Sequence, residues 1–190
     1  IISKINSCFE IYSNWNEKIN LISRKDFKNF YIHHFLHSLF LMKKIDFLEN
    51  SFVLDVGSGG GFPSIPLAIL NPKINFVLID SIKKKIMAVQ DIACLLNLNN
   101  IKTIVDRVEN LKEKYHYILG RAVINVNDFV KLTEKNLKKE NQSNFGIYYL
   151  SGYCIIEENI KKIFKIKYDL CSDIFDEDYF KNKGLWSFTY

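Results

Sequence analysis

The sequence has little of what builds a disulfide framework, a zinc ribbon or a membrane span. Its 190 residues include four cysteines, three prolines and eight glycines. No stretch approaches the roughly 18 consecutive apolar residues that a transmembrane helix needs. The first residues, IISKINSCFEIYSNW, lack the pattern of a signal peptide. We therefore expect a cytoplasmic protein without a membrane segment.

The cysteines and histidines do not have the spacing of a metal site. The cysteines are widely separated and include no Cys-x-x-Cys pair: Cys8, Cys94, Cys154 and Cys171. Such spacing favours reduced thiols. His33 and His37 stand four residues apart, but an HExxH arrangement and a third ligand are missing. We predict no metal, and we expect His34 and His37 to pack or hydrogen-bond where the N-terminal helices meet the sheet.

Arginine is scarce in a basic chain. Lysine and arginine together number 26 against 21 acidic residues, yet arginine occurs only at positions 24, 107 and 121. The net charge of +5 permits nucleic-acid binding without requiring it. Lysines within 83–85, 135–139 and 161–167 could contact phosphates or form an ordinary solvated surface, and both interpretations stay open. The scarcity makes Arg121 a better functional candidate than any lysine.

The first fifty residues have helical periodicity. Apolar residues at helical spacing predict one helix over about 3–20, and a second starts near Asp26 and extends to Met42. We treat 1–50 as an N-terminal helical extension and 51–190 as one compact domain.

From residue 52 onward, short apolar runs alternate with amphipathic stretches. FVLDV, INFVLID, IKTIV, YHYILG and FGIYYL predict five strands, and FKIKYDLC and LWSFTY predict a final antiparallel pair. Helices are predicted in PSIPLAIL, in SIKKKIMAVQDIACLLNL and near 126–138. This alternation is typical of an α/β fold, in which a largely parallel sheet carries helices on both faces.

Half of the glycines lie within residues 57–61, directly after the first predicted strand. A dinucleotide-binding loop needs glycine at the sixth place of G-x-G-x-x-G, but that place holds Phe62. The pattern that starts at Asp55 is instead D-x-G-x-G-x-G, which suits S-adenosylmethionine, a ligand without phosphate. Asp55 could face the ammonium group of that ligand, and Asp80, at the end of the second strand, its ribose hydroxyls. Helix capping is the alternative role for both acids.

Several segments along the chain resemble one family. They are WNEKINLISRKD at 15–26, HHFLHSL at 33–39, LDVGSGGGFPSIPLAI at 54–69, LIDSIKKKI at 78–86, DRVENL at 106–111, GRAV at 120–123 and, more weakly, SDIFDEDYF. On these segments the chain is similar to the RsmG family, also called glucose-inhibited division protein B. The resemblance implies a Rossmann-like class I methyltransferase with a mostly parallel seven-stranded sheet. It implies S-adenosylmethionine-dependent methylation of guanine N7 in 16S ribosomal RNA, with that RNA or the small ribosomal subunit as partner.

The resemblance and the glycine loop together give seven candidates for the cofactor site. They are Gly57, Gly59, Phe62, Asp80, Val108, Glu109 and Arg121. In the family, the glycine loop lines the cofactor pocket and the dipeptide matched by 108–109 lies against the adenosine. Arg121 matches an arginine at the end of the fourth strand, and we expect it to position a ligand. We also expect a monomer.

The residues restrict the chemistry of methyl transfer. The fourth strand is not followed by the proline pair of an exocyclic-amine methyltransferase, and no cysteine fits a pyrimidine C5 enzyme. Guanine N7 carries a lone pair and no proton, so positioning and electrostatics suffice and no catalytic acid, base or nucleophile is expected.

Two alternative functions stay open at this stage. The family often carries Leu-Lys-Gly-Gly after the fifth strand, where this chain has Leu150-Ser151-Gly152-Tyr153. The lost lysine is compatible with a relative that binds cofactor or ribosome without turnover. A methyltransferase acting on a small molecule or a protein is the other alternative.

Overall fold

The computed structural model describes residues 1–140 and 144–190, and it contains a seven-stranded sheet. The strands are β1 Phe52–Val56, β2 Asn75–Asp80, β3 Ile101–Val105, β4 Tyr117–Arg121, β5 Gly146–Ser151, β6 Lys165–Leu170 and β7 Gly184–Thr189. Their order across the sheet is β3-β2-β1-β4-β5-β7-β6. The first five are parallel, and β7 pairs antiparallel with both β5 and β6. The predicted α/β fold with a mostly parallel seven-stranded sheet is confirmed.

Six α-helices lie in the described ranges. They are α1 Ile2–Lys18, α2 His37–Lys44, α3 Ser64–Leu70, α4 Lys83–Leu95, α5 Val126–Thr133 and α6 Glu158–Lys161. Across 1–140 and 144–190, none of the helices has both the length and the apolar character needed to cross a membrane.

The second predicted helix differs from a regular α-helix. Its first part is a 3-10 turn over Phe27–Asn29 and a π-helix over Phe30–Leu36, and α2 follows without a break. The wider π-helical turn brings His33 and His34, which are neighbours in the chain, against the same carboxylate of Asp26. These side-chain hydrogen bonds therefore occur where the helix departs from α-helical geometry, and such departures are frequent at functional sites.

The two faces of the sheet carry separate hydrophobic clusters. One face packs against α3, α4 and the N-terminal segment, whose Tyr12, Phe30 and Phe40 are fully or almost fully buried there. The other face packs against α5 and α6 through residues such as Phe129 and Ile160. The N-terminal helices thus share a hydrophobic core with the sheet. The domain boundary near residue 50 stays a prediction.

The strand order places a crevice at one position of the sheet. From β1 the chain proceeds outward through β2 and β3, whereas from β4 it proceeds in the opposite direction to β5. Ligands in open α/β sheets bind at the carboxyl ends of the strands that flank such a reversal. Here those ends are Val56, which leads into the glycine loop, and Arg121.

Candidate active site at the carboxyl edge of the sheet

The glycine loop adopts a backbone that other residues resist. Gly57, Gly59 and Gly61 have φ angles of +66°, +54° and +86°, in the region that L side chains rarely occupy. A Cβ atom at Gly57 would lie 2.8 Å from the Cγ2 atom of Val123. The Gly57 amide donates to the carbonyl of Ile79, 2.8 Å away, which ties the loop to β2. Glycine is required here because the turn is tight and a neighbouring side chain is close.

A cavity of about 470 Å³ lies beside this loop, at the carboxyl ends of β1 to β4. Its volume falls within the roughly 300–1,000 Å³ of small-molecule sites. Five of the seven candidates line it: Gly57, Gly59, Asp80, Val108 and Glu109. Residues that were not predicted for the cofactor site also line it, among them Ile79, Val123 and Ile124. No local pattern in the sequence points to these, because they become neighbours of the loop only once the sheet has formed.

Asp80 connects two elements of the site. Its Oδ2 accepts from the Gly59 amide at 3.0 Å, and its Oδ1 accepts from the Ile82 amide at 2.8 Å, just before α4. The second bond goes to the residue before α4 and not to an amide of the helix, so Asp80 is not the N-cap of α4, which is Ile82. A carboxylate oxygen has two lone pairs, so both oxygens keep capacity for a hydroxyl donor from the cavity.

Asp55 lies behind the loop, within β1, and its side chain does not line the cavity. The residue is 1% exposed, and burial raises the pKa of its carboxyl to about 7, a rise that the neighbouring Ser64 opposes. Its Oδ2 atom has no hydrogen-bond partner within 1–140 and 144–190. Because Asp55 does not line the cavity, its contact with a ligand ammonium group stays a prediction.

Phe62 and Arg121 do not line the cavity, and their contact with the cofactor stays a prediction. Phe62 is almost completely buried in an aromatic cluster with Tyr12, Phe30 and His34. The guanidinium carbon of Arg121 lies 5.8 Å from the centre of the Phe62 ring. The bulky side chain at the sixth loop position therefore packs against the N-terminal helices. It also borders a cluster of polar side chains that includes Arg121 and His34.

Hydrogen bonds join the side chains of this polar cluster into a row. Arg121 Nη2 lies 2.6 Å from His34 Nδ1, and His34 Nε2 lies 2.9 Å from Asp26 Oδ2. The other oxygen of Asp26 lies 2.5 Å from His33 Nδ1. A guanidinium has only donors, so His34 Nδ1 must accept and the imidazole proton must reside on Nε2. His34 is thus fixed as the neutral tautomer that donates to Asp26.

The electrostatics agree with that assignment. Burial and the charge of Arg121 lower the pKa of His34 to about 4, although Asp26 opposes this effect. For Asp26, burial raises the pKa, but hydrogen bonds from His33 and Asn29 outweigh it and bring the pKa below its ordinary value. At neutral pH the group consists of a carboxylate, a neutral imidazole and a guanidinium.

His37 completes the contact between the N-terminal segment and the sheet. It is buried against the edges of Tyr179 and Phe180, and burial strongly lowers its pKa. The ring of Tyr179 also stacks on His33, with 3.7 Å between ring centres. The prediction that His34 and His37 pack or hydrogen-bond at this junction is confirmed. Two further members of this junction were not predicted: Asp26 as the partner of both His33 and His34, and Tyr179, which reaches His33 from far along the chain.

Arg121 has one donor left over. Its Nη1 atom is buried and has no hydrogen-bond partner among the residues that the structure describes. This buried guanidinium nitrogen therefore keeps a hydrogen-bonding capacity that the described residues do not use. In the same described part of the chain, no three His, Cys, Asp or Glu side chains converge on one point that could hold a metal ion.

The predicted lysine groups lie at different edges. Lys83–Lys85 start α4 beside the cavity, and Lys85 lines it. Lys139, by contrast, lies close to Tyr190, and Lys165 pairs with Thr189, at the amino edge of the parallel strands. The first of these groups lies next to the cavity, and Lys161 of the third group lines a separate groove near Tyr153.

Solved structures share this fold. A point mutant of MtNAS in complex with S-adenosylmethionine aligns with 98% of this chain and 74% of its own, at 10% identity and a TM-score of 0.60. The precorrin-6y C5,15-methyltransferase from Geobacter metallireducens aligns with 90% of this chain and 91% of its own, at 10% identity and a TM-score of 0.57. At such identities the likeness concerns the fold alone, and it agrees with the predicted Rossmann-like class I architecture.

Sequence comparisons are more specific. A relative from Flavobacterium johnsoniae, named ribosomal RNA small subunit methyltransferase G, is 46% identical over 92% of this chain and 84% of its own. One of the same name from Christiangramia forsetii is 43% identical over 97% and 88%. The family model described as rRNA small subunit methyltransferase G matches residues 1–149. The predicted resemblance is confirmed, and the chain belongs to the rRNA small subunit methyltransferase G family.

Proposed function

We propose that this protein transfers a methyl group from S-adenosylmethionine to guanine N7 in 16S ribosomal RNA. The observation that carries the proposal is the cavity beside the glycine loop, at the reversal of strand order, with Asp80 on its wall and Arg121 beside it. Membership of the family supports the substrate class. We further propose that the chain acts in the cytoplasm, as a monomer.

The cavity fits the cofactor. Bare backbone at Gly57 and Gly59 offers room for the amino-acid portion and the ribose, and Asp80 offers oxygens to the ribose hydroxyls. The side of the cavity formed by Val108 and Glu109 is where the adenosine would lie. When bound, S-adenosylmethionine supplies a methyl group on a positively charged sulfur. The protein then has to exclude water and align the acceptor.

Arg121 is the residue we assign to acceptor alignment. His34 holds one of its terminal nitrogens and Phe62 lies beside the guanidinium, so the direction of the other nitrogen is set. Guanine presents O6 and N7 as neighbouring acceptors on one edge. A donor on O6 would hold the base while N7 remains free to attack, and no proton has to leave N7. This arrangement relies on orientation, which can contribute about 7–11 kcal/mol to a reaction between bound partners.

The test uses 16S ribosomal RNA, free and in small subunits, taken from cells that lack this methylation, together with radiolabelled S-adenosylmethionine. We expect one methyl group per RNA, at a guanine whose chain breaks after borohydride and aniline treatment, a reaction specific to N7-methylguanine. Cofactor binding without label in RNA would favour the non-catalytic alternative. Label in a small molecule or protein instead would favour the other.

A further inference from the structure

The loop after β5, residues 151–157, lies at the same edge as the proposed active site. In the register of the sheet Leu150 pairs with Arg121, so the loop starts beside the end of β4. Its far end is tied to the start of α5, because Asn127 donates to the Ile155 carbonyl and accepts from the Glu157 amide, both at 3.0 Å. The loop is therefore held in place next to Arg121.

The loop presents an aromatic side chain to solvent. Tyr153 is 74% exposed and Ile155 is 83% exposed, which is unusual for two large apolar side chains so close together. The Tyr153 ring nevertheless has defined neighbours: its centre lies 5.5 Å from the Trp186 ring and 5.4 Å from the Tyr168 ring. Those two rings pack together at 4.6 Å and are anchored by hydrogen bonds to the carbonyls of Gly152 and Ser151.

The surroundings of the ring combine apolar surface with positive charge. A groove of about 420 Å³ opens beside Tyr153, lined by Ile155, Phe164 and Trp186, with Lys161 at its margin in an ion pair with Glu158. Lys162, one residue on, is exposed and has no carboxylate partner within the described residues. A flat aromatic face beside cations is what an unpaired nucleotide needs, since its base stacks and its phosphate seeks positive charge.

We propose that Tyr153 stacks on an unpaired base of the RNA that flanks the target guanine. This inference rests on the proposed function. Tyr168 and Trp186 limit the positions open to the Tyr153 ring, so little conformational freedom is lost when a base binds. Because the loop starts beside the end of β4, a base seated here would belong to RNA that flanks the guanine being modified.

The test compares Tyr153→Ala, Tyr153→Phe and the parent chain in binding to unmethylated 16S ribosomal RNA and in methylation kinetics. We expect Tyr153→Ala to weaken RNA affinity about tenfold or more, to raise KM for RNA correspondingly, and to leave the affinity for S-adenosylmethionine unchanged. Tyr153→Phe keeps the ring and should stay within about twofold of the parent. Phe52→Ala, which removes an aromatic side chain that is 46% exposed at the amino end of β1, is the control at the opposite edge and should also stay close to the parent.

The outcomes separate this inference from the proposed function. If the parent methylates RNA and Tyr153→Ala does so with the same KM, the stacking role is wrong and the proposed function stands. A Tyr153→Phe variant as weak as Tyr153→Ala would also overturn stacking. A concentration-dependent dimer of the parent that Tyr153→Ala abolishes would assign the surface to a second copy instead. A parent that neither binds nor methylates RNA overturns both.

Discussion

At the scale of single residues, one terminal nitrogen of Arg121 is bonded to His34. The other has no hydrogen-bond partner within the described residues. Lysine cannot make both contacts, because its ammonium group lacks the planar fork of a guanidinium. Arg121→Lys should therefore lose about 10- to 100-fold in kcat/KM for RNA, which is about 1.4–2.8 kcal/mol of transition-state stabilisation. No new pH dependence is expected, since Arg121 transfers no proton.

Arg24→Lys is the matched control for that experiment. Arg24 is an exposed arginine, and the same substitution there should leave kcat/KM within about twofold of the parent value. Equal activity of Arg121→Lys and the parent would mean that Arg121 has no part in the site.

His34 gives the fold a pH dependence. In the unfolded chain its pKa is near 6.5 and in the folded chain about 4, so between these values the unfolded chain binds a proton that the folded chain excludes. The free energy of unfolding should therefore fall as the pH falls through this window, and His34 should not affect it above about pH 7. From about pH 7 to about pH 5, His34 alone should account for about 2 kcal/mol.

Urea denaturation of the parent and of His34→Gln at both pH values measures this contribution. The variant should lose about 2 kcal/mol less than the parent on acidification, while His37, whose pKa is also lowered by burial, continues to contribute in both proteins. Identical acid sensitivity of the two proteins would contradict a neutral, buried His34.

At the scale of elements, we expect a substitution in the glycine loop to weaken cofactor binding far more than it weakens the fold. Gly57→Val combines a positive φ with a Cβ atom that meets Val123, so the loop must move out of the shape that borders the cavity. We expect S-adenosylmethionine affinity to fall by about 100-fold or more in titration calorimetry, with a loss of about 1–3 kcal/mol in stability.

Gly60→Ala is the control within the same loop. Gly60 does not line the cavity and does not need a positive φ, and its added Cβ would approach only Leu21, whose carbonyl oxygen lies 3.3 Å away. It should retain cofactor binding. If both variants bind the cofactor as the parent does, the ligand lies elsewhere.

The strands and most helices could be predicted from the sequence because their signals are local. FVLDV and IKTIV have the same bounds in the structure, and the antiparallel final pair is present. The helix predicted near 126–138 ends earlier, at Thr133, because the next residues form a 3-10 turn and Leu137 pairs with Tyr115. The 3-10 turn and the π-helix over residues 27–36 were not predicted, because the apolar residues there have the spacing of an ordinary helix.

The site was predictable only in part, because some of its contacts join residues far apart in the chain. Gly57, Asp80 and the pair at 108–109 follow strand ends, and strand ends of a parallel sheet meet at one edge. Arg121 also lies at a strand end, but whether it borders the cavity or faces His34 depends on residues 87 positions apart in the chain. Long-range polar contacts leave no periodic trace in a sequence.

At the scale of the whole molecule, the distribution of lysines predicts which face meets RNA. Lys83 and Lys84 are exposed beside the cavity, whereas Lys139 and Lys165 lie at the opposite edge. Replacing the first pair by glutamine should reduce the slope of log affinity for RNA against log salt by about 1.4–1.8, that is, by about 0.7–0.9 per phosphate contact.

The same double replacement at Lys139 and Lys165 changes the net charge equally and should leave that slope unchanged. RNA affinities measured over a series of salt concentrations decide between the two faces. Equal slopes for both double variants would indicate that the charge acts through the whole molecule and that no face is preferred.

The position of β7 has a consequence for how the molecule is assembled. It comes last of the seven strands along the chain, yet it lies between β5 and β6, and β6 has no other neighbour among the described strands. During synthesis β6 therefore emerges before the strand it must pair with and waits without a partner. The segment between them carries Tyr179, which stacks on His33. The histidine cluster beside Arg121 can thus be completed only after the segment that carries Tyr179 has been synthesised and has docked.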